Sequence, residues 1–206
     1  MLETISNESS SGADIRQKMR AQRRALALSI QQQHSQALRQ ITIKEKFYRN
    51  SQHIGCYLAN DGEIDPWLLV EHARCLNKKI YLPILSQFKD ALYFAPYDET
   101  SRLQTNRFNI PEPACHPSQW KTAAQLDLLL IPLVAFDPYG NRIGMGGGFY
   151  DRTLAYLQHR KFWRKPKLVG LAHEIQKVAQ LQVQSWDIPL DHIITEKQRY
   201  SAKTPV

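Results

Sequence analysis

The sequence predicts an α/β domain of three layers, a Rossmann-like arrangement with a mostly parallel central sheet flanked by helices. Three observations predict it. Apolar, strand-like runs alternate with stretches of helical period along most of the chain. The most apolar run, residues 126–134 (LDLLLIPLV), is hydrophobic on both faces, as a strand buried inside a parallel sheet must be. A glycine-dense loop then leads into a helical stretch, which is where open α/β sheets gather ligands.

The 206 residues suffice for one domain with a substantial core. Residues 1–13 are polar and serine-rich and read as a disordered leader. Residues 14–200 read as the folded domain and 201–206 as a tail. Residues 15–28 (IRQKMRAQRRALAL) suit a helix, with neither glycine nor proline, and five cationic side chains mark it. A second helix is expected over 30–50, where Ala37, Leu38, Ile41 and Tyr48 fall roughly in phase. Residues 53–59 read as a strand and Asn60-Asp61-Gly62 as a turn. Asp65-Pro66 then opens a helix, with Asp65 as cap and Pro66 as its first residue. Strands are expected at 79–85 and 91–95, and a long irregular excursion, with room for a short strand, over 97–125. After the central run and the glycine loop come a helix over 149–160 and the last two strands at 167–172 and 192–195.

Composition narrows the chemistry. Three cysteines, Cys56, Cys75 and Cys115, share no short spacing, and no Cys/His cluster has zinc spacing. No basic, apolar leader suggests export, and no apolar stretch has membrane-spanning length, so a cytoplasmic protein without a membrane partner is expected. A net charge of +8 favours anionic ligands without choosing among them.

The choice comes from residues 141–152, NRIGMGGGFYDR. Five of the nine glycines lie between Gly140 and Gly148. Glycines let a backbone turn its amides onto a phosphate at close range, and the start of the following helix adds partial positive charge. Arg142 would add charge-assisted hydrogen bonds. Asp151, one turn into the helix, suits magnesium, which takes one or two carboxylates together with phosphate oxygens. A Walker A loop is excluded because Gly148 is followed by Phe149-Tyr150, not Lys-Ser/Thr. A dinucleotide fingerprint is excluded because Phe149 stands where its third glycine belongs.

The stretch DPYGNRIGMGGGFYDR (137–152) resembles the signature of the 5-formyltetrahydrofolate cyclo-ligase family. Three more segments agree in order and spacing: IRQKMR (15–20), YLANDGEID (57–65) and WDIPLDHIITE (186–196). The resemblance runs from about residue 15 to 197. It implies ATP- and Mg2+-dependent closure of 5-formyltetrahydrofolate to 5,10-methenyltetrahydrofolate through a phosphorylated formyl group. The partners it implies are ATP and the folate, with or without a polyglutamate tail, and no nucleic acid; the chain is expected to be a monomer.

The resemblance also implies roles for particular residues. ATP would be held by Arg16, Gln17, Lys18, Met19 and Arg20 of the first helix. Arg142, Ile143, Gly144, Met145, Gly146, Gly147, Gly148, Phe149 and Tyr150 would complete that site. The folate would meet Leu58 and Glu63, and also Met145, Gly146, Gly147, Gly148 and Phe149. Arg142 and Asp151 would be catalytic, and Asp151 and Asp191 would ligate magnesium. Arg102, Arg107 and Lys121 are candidates for the folate's carboxylates, while Trp186 reads as a core residue. The chain departs from the family pattern at Gly147 and Phe149, where many members carry lysine and tyrosine.

Two other readings compete. The arginine-rich first helix and the positive charge would also suit a nucleic-acid-binding protein, which leaves the glycine loop without a purpose. A related α/β enzyme acting on a sugar phosphate or a coenzyme-A-type ligand would use the same loop without hydrolysable ATP.

Overall fold

Ser11 is the first residue described in a computed structural model that covers residues 11–86, 91–107, 109–160 and 165–202. The Ser11 hydroxyl accepts from the Asp14 N–H, and the Asp14 carboxylate accepts from the Ser11 N–H. This capping box starts α1 (Gly12–Arg24) two residues before the expected domain boundary. The remainder of the expected leader, 1–10, and tail residues 203–206 lie outside the described residues. α1 stops at Arg24, short of residue 28. The second expected helix divides into α2 (Leu28–Thr42) and α3 (Lys46–Arg49), because Thr42 turns its hydroxyl back onto the Leu38 carbonyl as α2 ends.

β1 (His53–Gly55) is shorter than expected, and the turn at residues 60–62 follows it. α4 (Trp67–Cys75) begins one residue late. Asp65 does cap it, through its carboxylate and the Trp67 N–H, but Pro66 occupies the cap position itself. β2 (Lys79–Leu85) and β3 (Leu92–Tyr97) follow. The irregular excursion contains a small hairpin, β4 (Leu103–Thr105) with β5 (Pro111–Pro113), and two single 3-10 turns.

The central run forms β6 (Leu128–Pro132). After it come the hairpin β7 (Ala135–Phe136) and β8 (Arg142–Ile143), the glycine loop, and α5 (Phe149–Leu154). The expected helix to residue 160 is therefore cut short, and a 3-10 segment continues it over Ala155–His159. β9 (Lys167–Leu171) and β10 (His192–Ile194) are as expected. β11 (Arg199–Ser201) is an additional edge strand reaching into the expected tail. Its sequence, RYS, has no apolar run to announce it; the antiparallel ladder to β10 makes it a strand.

One seven-stranded sheet carries the fold, in the order β11-β10-β9-β6-β1-β2-β3. The five inner strands are parallel, and both edge strands run antiparallel. Alternation along β6 builds two cores. Leu128 and Leu130 face the layer of α2, α3 and α4, together with Leu38, Tyr48, Leu69 and Val70. Leu129 and Ile131 face the opposite layer, with Phe94, Phe136, Leu154 and Leu157. Every β6 side chain from Leu128 to Ile131 is buried, as the both-sided hydrophobicity required. α1 belongs to neither layer: its Met19 packs with Val134 and Ala135 beyond the end of β6.

Replacing Leu130 by alanine should therefore lower unfolding stability in urea by about 3 kcal/mol through lost burial and a cavity. A change below about 1 kcal/mol would show that the layer does not depend on this strand's packing.

Candidate functional site

β1 and β6 lie side by side in parallel, with Ile54 opposite Leu128 and Gly55 opposite Leu129. From β1 the sheet continues to β2 on one side; from β6 it continues to β9 and β10 on the other. The winding reverses between them, and such a reversal leaves a crevice at the carboxyl ends of the two strands. The turn at 60–63 leaves from β1, and the hairpin with the glycine loop leaves from β6. α1 spans both.

The helix is fastened by arginines at four- and three-residue spacing on one face: Arg16, Arg20 and Arg23. Arg16 Nε donates to the Gly144 carbonyl at 2.9 Å. Arg20 Nε reaches Asp61 Oδ2 at 2.8 Å. Arg23 is fully buried. Its Nε donates to the Asp61 carbonyl at 2.8 Å, its Nη2 to Asp61 Oδ2 at 2.9 Å and its Nη1 to the Leu133 carbonyl at 3.2 Å. The Met145 sulfur lies 4.0 Å from Nη2. One side chain thus joins α1, the turn after β1, the end of β6 and the glycine loop. Arg24 also pairs with Asp61.

Partial burial works to raise the Asp61 carboxyl, but hydrogen bonds from Arg20, Arg24 and Arg23 outweigh it and hold the group at about 2. Asp61 and Gly62 both adopt positive φ, 55° and 72°. A Cβ at Gly62 would come within 2.9 Å of the Arg23 carbonyl oxygen, so the turn and the helix can approach this closely only with glycine there.

Glu63 lies beside this cluster. Its Oε1 lies 3.7 Å from Arg23 Nη2, and its Oε2 accepts from the Asn60 N–H at 3.2 Å. Burial pushes its carboxyl up, and Arg23 opposes the shift. Burial, with the charge of Glu63, also pushes up the hydroxyls of Tyr57 and Tyr150. The acid, Tyr57 from the β1 side and Tyr150 from the glycine-loop side therefore share one electrostatic environment. Leu58 is half-buried and packs against the core beneath.

The glycine loop presents main chain. Among the described residues, the N–H groups of 144–148 make no hydrogen bond, and Gly146 and Gly147 are exposed. Gly148 caps α5 in the left-handed region, at φ 63°. Arg152 braces the loop from behind: its Nη2 donates to the Gly147 carbonyl at 2.7 Å, and its guanidinium lies over the Phe149 ring. With α5 only six residues long, the loop amides offer more to an anion than the helix dipole does.

Other expected site residues are placed differently. Gln17 and Lys18 are exposed on α1, whereas Met19 is buried in packing, because it faces Val134 and Ala135. Arg142 is almost wholly covered. Its Nη2 pairs with Asp151 Oδ1 at 2.6 Å, and its Nη1 donates to the Ile188 carbonyl, so the guanidinium aims at Asp151 and the segment before β10. Ile143 lines the Met19 cluster. Asp151 also accepts from the Ile188 N–H, again on Oδ1, which leaves Oδ2 open. Asp191 accepts from Lys167 Nζ at 2.8 Å and from the Leu168 N–H at 2.7 Å, one on each oxygen.

Trp186 is 63% exposed on an irregular segment beyond the sheet, and so is not the expected core residue. Arg102 and Arg107 are exposed, and Lys121 lies over the Tyr81 ring. Sequence reasoning passed over Arg23, Asp61 and Tyr57. The continuation of Arg16 and Arg20 to position 23 was the available signal for the first.

Asp61→Asn should lower stability by about 3 kcal/mol, because Arg23 stays buried after losing its counter-charge. The Asp61 carboxyl is depressed from an unfolded value near ~3.9 to about 2. Its contribution is therefore present above pH ~4 and lost as pH falls toward ~2. The variant's acid limb, followed by circular dichroism, should be correspondingly shallower; an unchanged limb would remove Asp61 from this role.

Among the described residues, no helix is long and apolar enough to cross a membrane. The chain matches the 5-formyltetrahydrofolate cyclo-ligase family over residues 8–196. It is 41% identical over 180 residues to the 5-formyltetrahydrofolate cyclo-ligase of Escherichia coli K12, covering 86% of this chain and 96% of that one. The Haemophilus influenzae protein of the same name is 39% identical over 181 residues, covering 87% and 95%. The solved structure of Aquifex aeolicus 5,10-methenyltetrahydrofolate synthetase is similar with a TM-score of 0.77 at 25% identity, covering 95% of this chain and 94% of that one. A winding reversal, an acid beside the buried Arg23 and a loop of open amides thus occur in a chain that belongs to the 5-formyltetrahydrofolate cyclo-ligase family.

Proposed function

We propose that the protein closes 5-formyltetrahydrofolate to 5,10-methenyltetrahydrofolate at the expense of ATP, with release of ADP and phosphate. The observation that carries this reading is that Arg23 Nη2 lies 3.7 Å from Glu63 and 4.0 Å from the Met145 sulfur, so the acid stands beside the loop whose 144–148 amides are unpaired, under a helix that brings Arg16 to that loop. A polar heterocycle and a polyphosphate have complementary surfaces there. A nucleic-acid reading has less support, because Arg20, Arg23 and Arg24 are all already paired with Asp61.

In this reading the loop amides and Arg16 hold the triphosphate. Glu63 accepts from N–H groups of the pterin and fixes its orientation, with Tyr57, Tyr150 and Leu58 enclosing it. The formyl oxygen attacks the γ-phosphorus, the bond from that phosphorus to the bridging oxygen breaks, and ADP leaves. The formyl carbon now carries a phosphate in place of a poor leaving group. The neighbouring folate nitrogen attacks that carbon and loses its proton, the carbon–oxygen bond breaks, and inorganic phosphate departs. Positioning and charge neutralisation supply the acceleration, and no protein nucleophile is needed.

Asp151 fits a magnesium ion: Arg142 and the Ile188 N–H steady Oδ1, and Oδ2 is left for a ligand. Asp191 would join by exchanging Lys167, a partly exposed pair worth about 0–1 kcal/mol. A magnesium ion bound there would neutralise phosphate charge. Arg142 acts through Asp151, as a positioning residue. The Phe149 ring has Arg152 over one face.

Purified protein with 5-formyltetrahydrofolate and Mg-ATP should develop the near-ultraviolet band of the methenyl product. No band beside an active control enzyme would overturn the reading. Asp151→Asn should reduce turnover about 100-fold and raise the half-saturating magnesium concentration; unchanged activity at limiting magnesium would remove Asp151 from the site. Glu63→Gln should raise the KM for the folate roughly 10- to 100-fold, as expected for losing a charged hydrogen-bond acceptor, and leave that for ATP unchanged. Equal losses for both substrates would signal a folding defect instead.

A further inference from the structure

We infer that His34, His173 and Glu196 form a transition-metal site that takes one Zn2+ ion, separate from the crevice chemistry. The fold delivers the three ligands by register. Leu171 ends β9, Ile194 ends β10, and the two are paired across the ladder. His173 and Glu196 each stand two residues beyond those ends, so the parallel pairing carries them out of the sheet side by side. His34 arrives from α2, which covers that face of the sheet.

One donor atom from each residue lies within 4.8 Å of the other two, and this is the one such trio among the described residues. His34 Nδ1 is 2.9 Å from His173 Nδ1, and His34 Nε2 is 3.7 Å from Glu196 Oε1. A single ion takes one ring nitrogen of His34, Nδ1 or Nε2, and with one donor per residue inside 4.8 Å a side-chain shift on the order of 1 Å brings the three to the roughly 3.3 Å between donors of a tetrahedral zinc.

The donors are also prepared for an ion. Glu196 Oε2 takes the Glu174 N–H at 2.9 Å, which orients the carboxylate and leaves Oε1 toward His34. His173 is fully buried, and its Nε2 has no hydrogen-bond partner. For both rings to ligate through Nδ1, the proton shared at 2.9 Å must move to an Nε2.

Two imidazoles and one carboxylate select zinc over magnesium or calcium, which prefer oxygen alone. Three protein ligands leave the fourth position to water. His34 and Glu196 remain partly exposed, which provides the entry path. The ion would tie α2 to the carboxyl ends of β9 and β10, next to the crevice but through none of its assigned residues.

The test is metal stoichiometry and affinity, without turnover. Full-length protein is stripped with a chelator, dialysed, and titrated with Zn2+ by calorimetry and elemental analysis; Co2+ serves as a spectroscopic probe. One Zn2+ per chain is expected, with a melting temperature that rises with zinc concentration and visible cobalt bands of tetrahedral intensity. His34→Ala, at a partly exposed helix position, should bind at least about tenfold more weakly and lose those bands. Glu196→Gln should behave likewise, and His116→Ala should bind as the parent does. Less than a stoichiometric equivalent in the parent, or equal binding by the parent and His34→Ala, would overturn the site. Either result would leave the ATP-dependent ring closure untouched, since that is read by product absorbance.

Discussion

The buried guanidinium of Arg23 is the constraint on which the rest of the site depends. A charged group with no solvent exposure costs several kcal/mol unless it is paired and hydrogen-bonded. Here the pairing comes from three separate segments: the Asp61 turn, the Leu133 carbonyl at the end of β6 and the Met145 side chain of the glycine loop. Satisfying Arg23 therefore requires α1, the turn and the loop to be assembled together. Glu63 is set two residues beyond Asp61, and Gly144 is set against Arg16, as consequences of that assembly. The helix is not a layer of the sandwich; it is a clasp across the carboxyl ends of the two strands where the winding reverses.

This arrangement separates stability from ligand binding. The hydrophobic layers on either face of β6 hold the sheet, and the crevice above is built from polar groups that satisfy one another in pairs or networks. Asp61 absorbs three arginines, Arg142 steadies Asp151, and Arg152 braces Gly147. What those pairings leave over is the row of amides in 144–148 and the open oxygen of Asp151. Main-chain amides held in place need little reorganisation when charge develops on a phosphoryl group, which is the property such a reaction requires.

Much of the fold was legible because its signals are local. The both-sided hydrophobicity of residues 128–131 announces a buried parallel strand, and the glycine density of 140–148 announces a ligand loop. β11 was not legible, because a three-residue strand of polar and aromatic residues exists only through its ladder to β10. The length of α5 was not legible either: residues 149–160 have helical composition, but the last turns tighten to 3-10 geometry where Leu157 enters the core. In the site, Arg16, Glu63 and the loop follow from the resemblance of their segments. The inward direction of Arg23 depends on partners far away in sequence, at positions 61 and 133, and the direction of Arg142 toward Asp151 is held from position 188. The spacing of Arg142 and Asp151 is local, but the contacts that fix them are not.

The central claim is that main chain at 144–148, fastened by α1, receives the nucleotide's phosphates. Amide hydrogen exchange measured by mass spectrometry, with and without a magnesium complex of a non-hydrolysable ATP analogue, tests it directly. Slowed exchange is expected at 144–148 and in the α1 segment around Arg16 alone, with the strands of the sheet unaffected. Exchange at 144–148 that is as fast with saturating nucleotide as without it would rule out phosphate binding by this main chain.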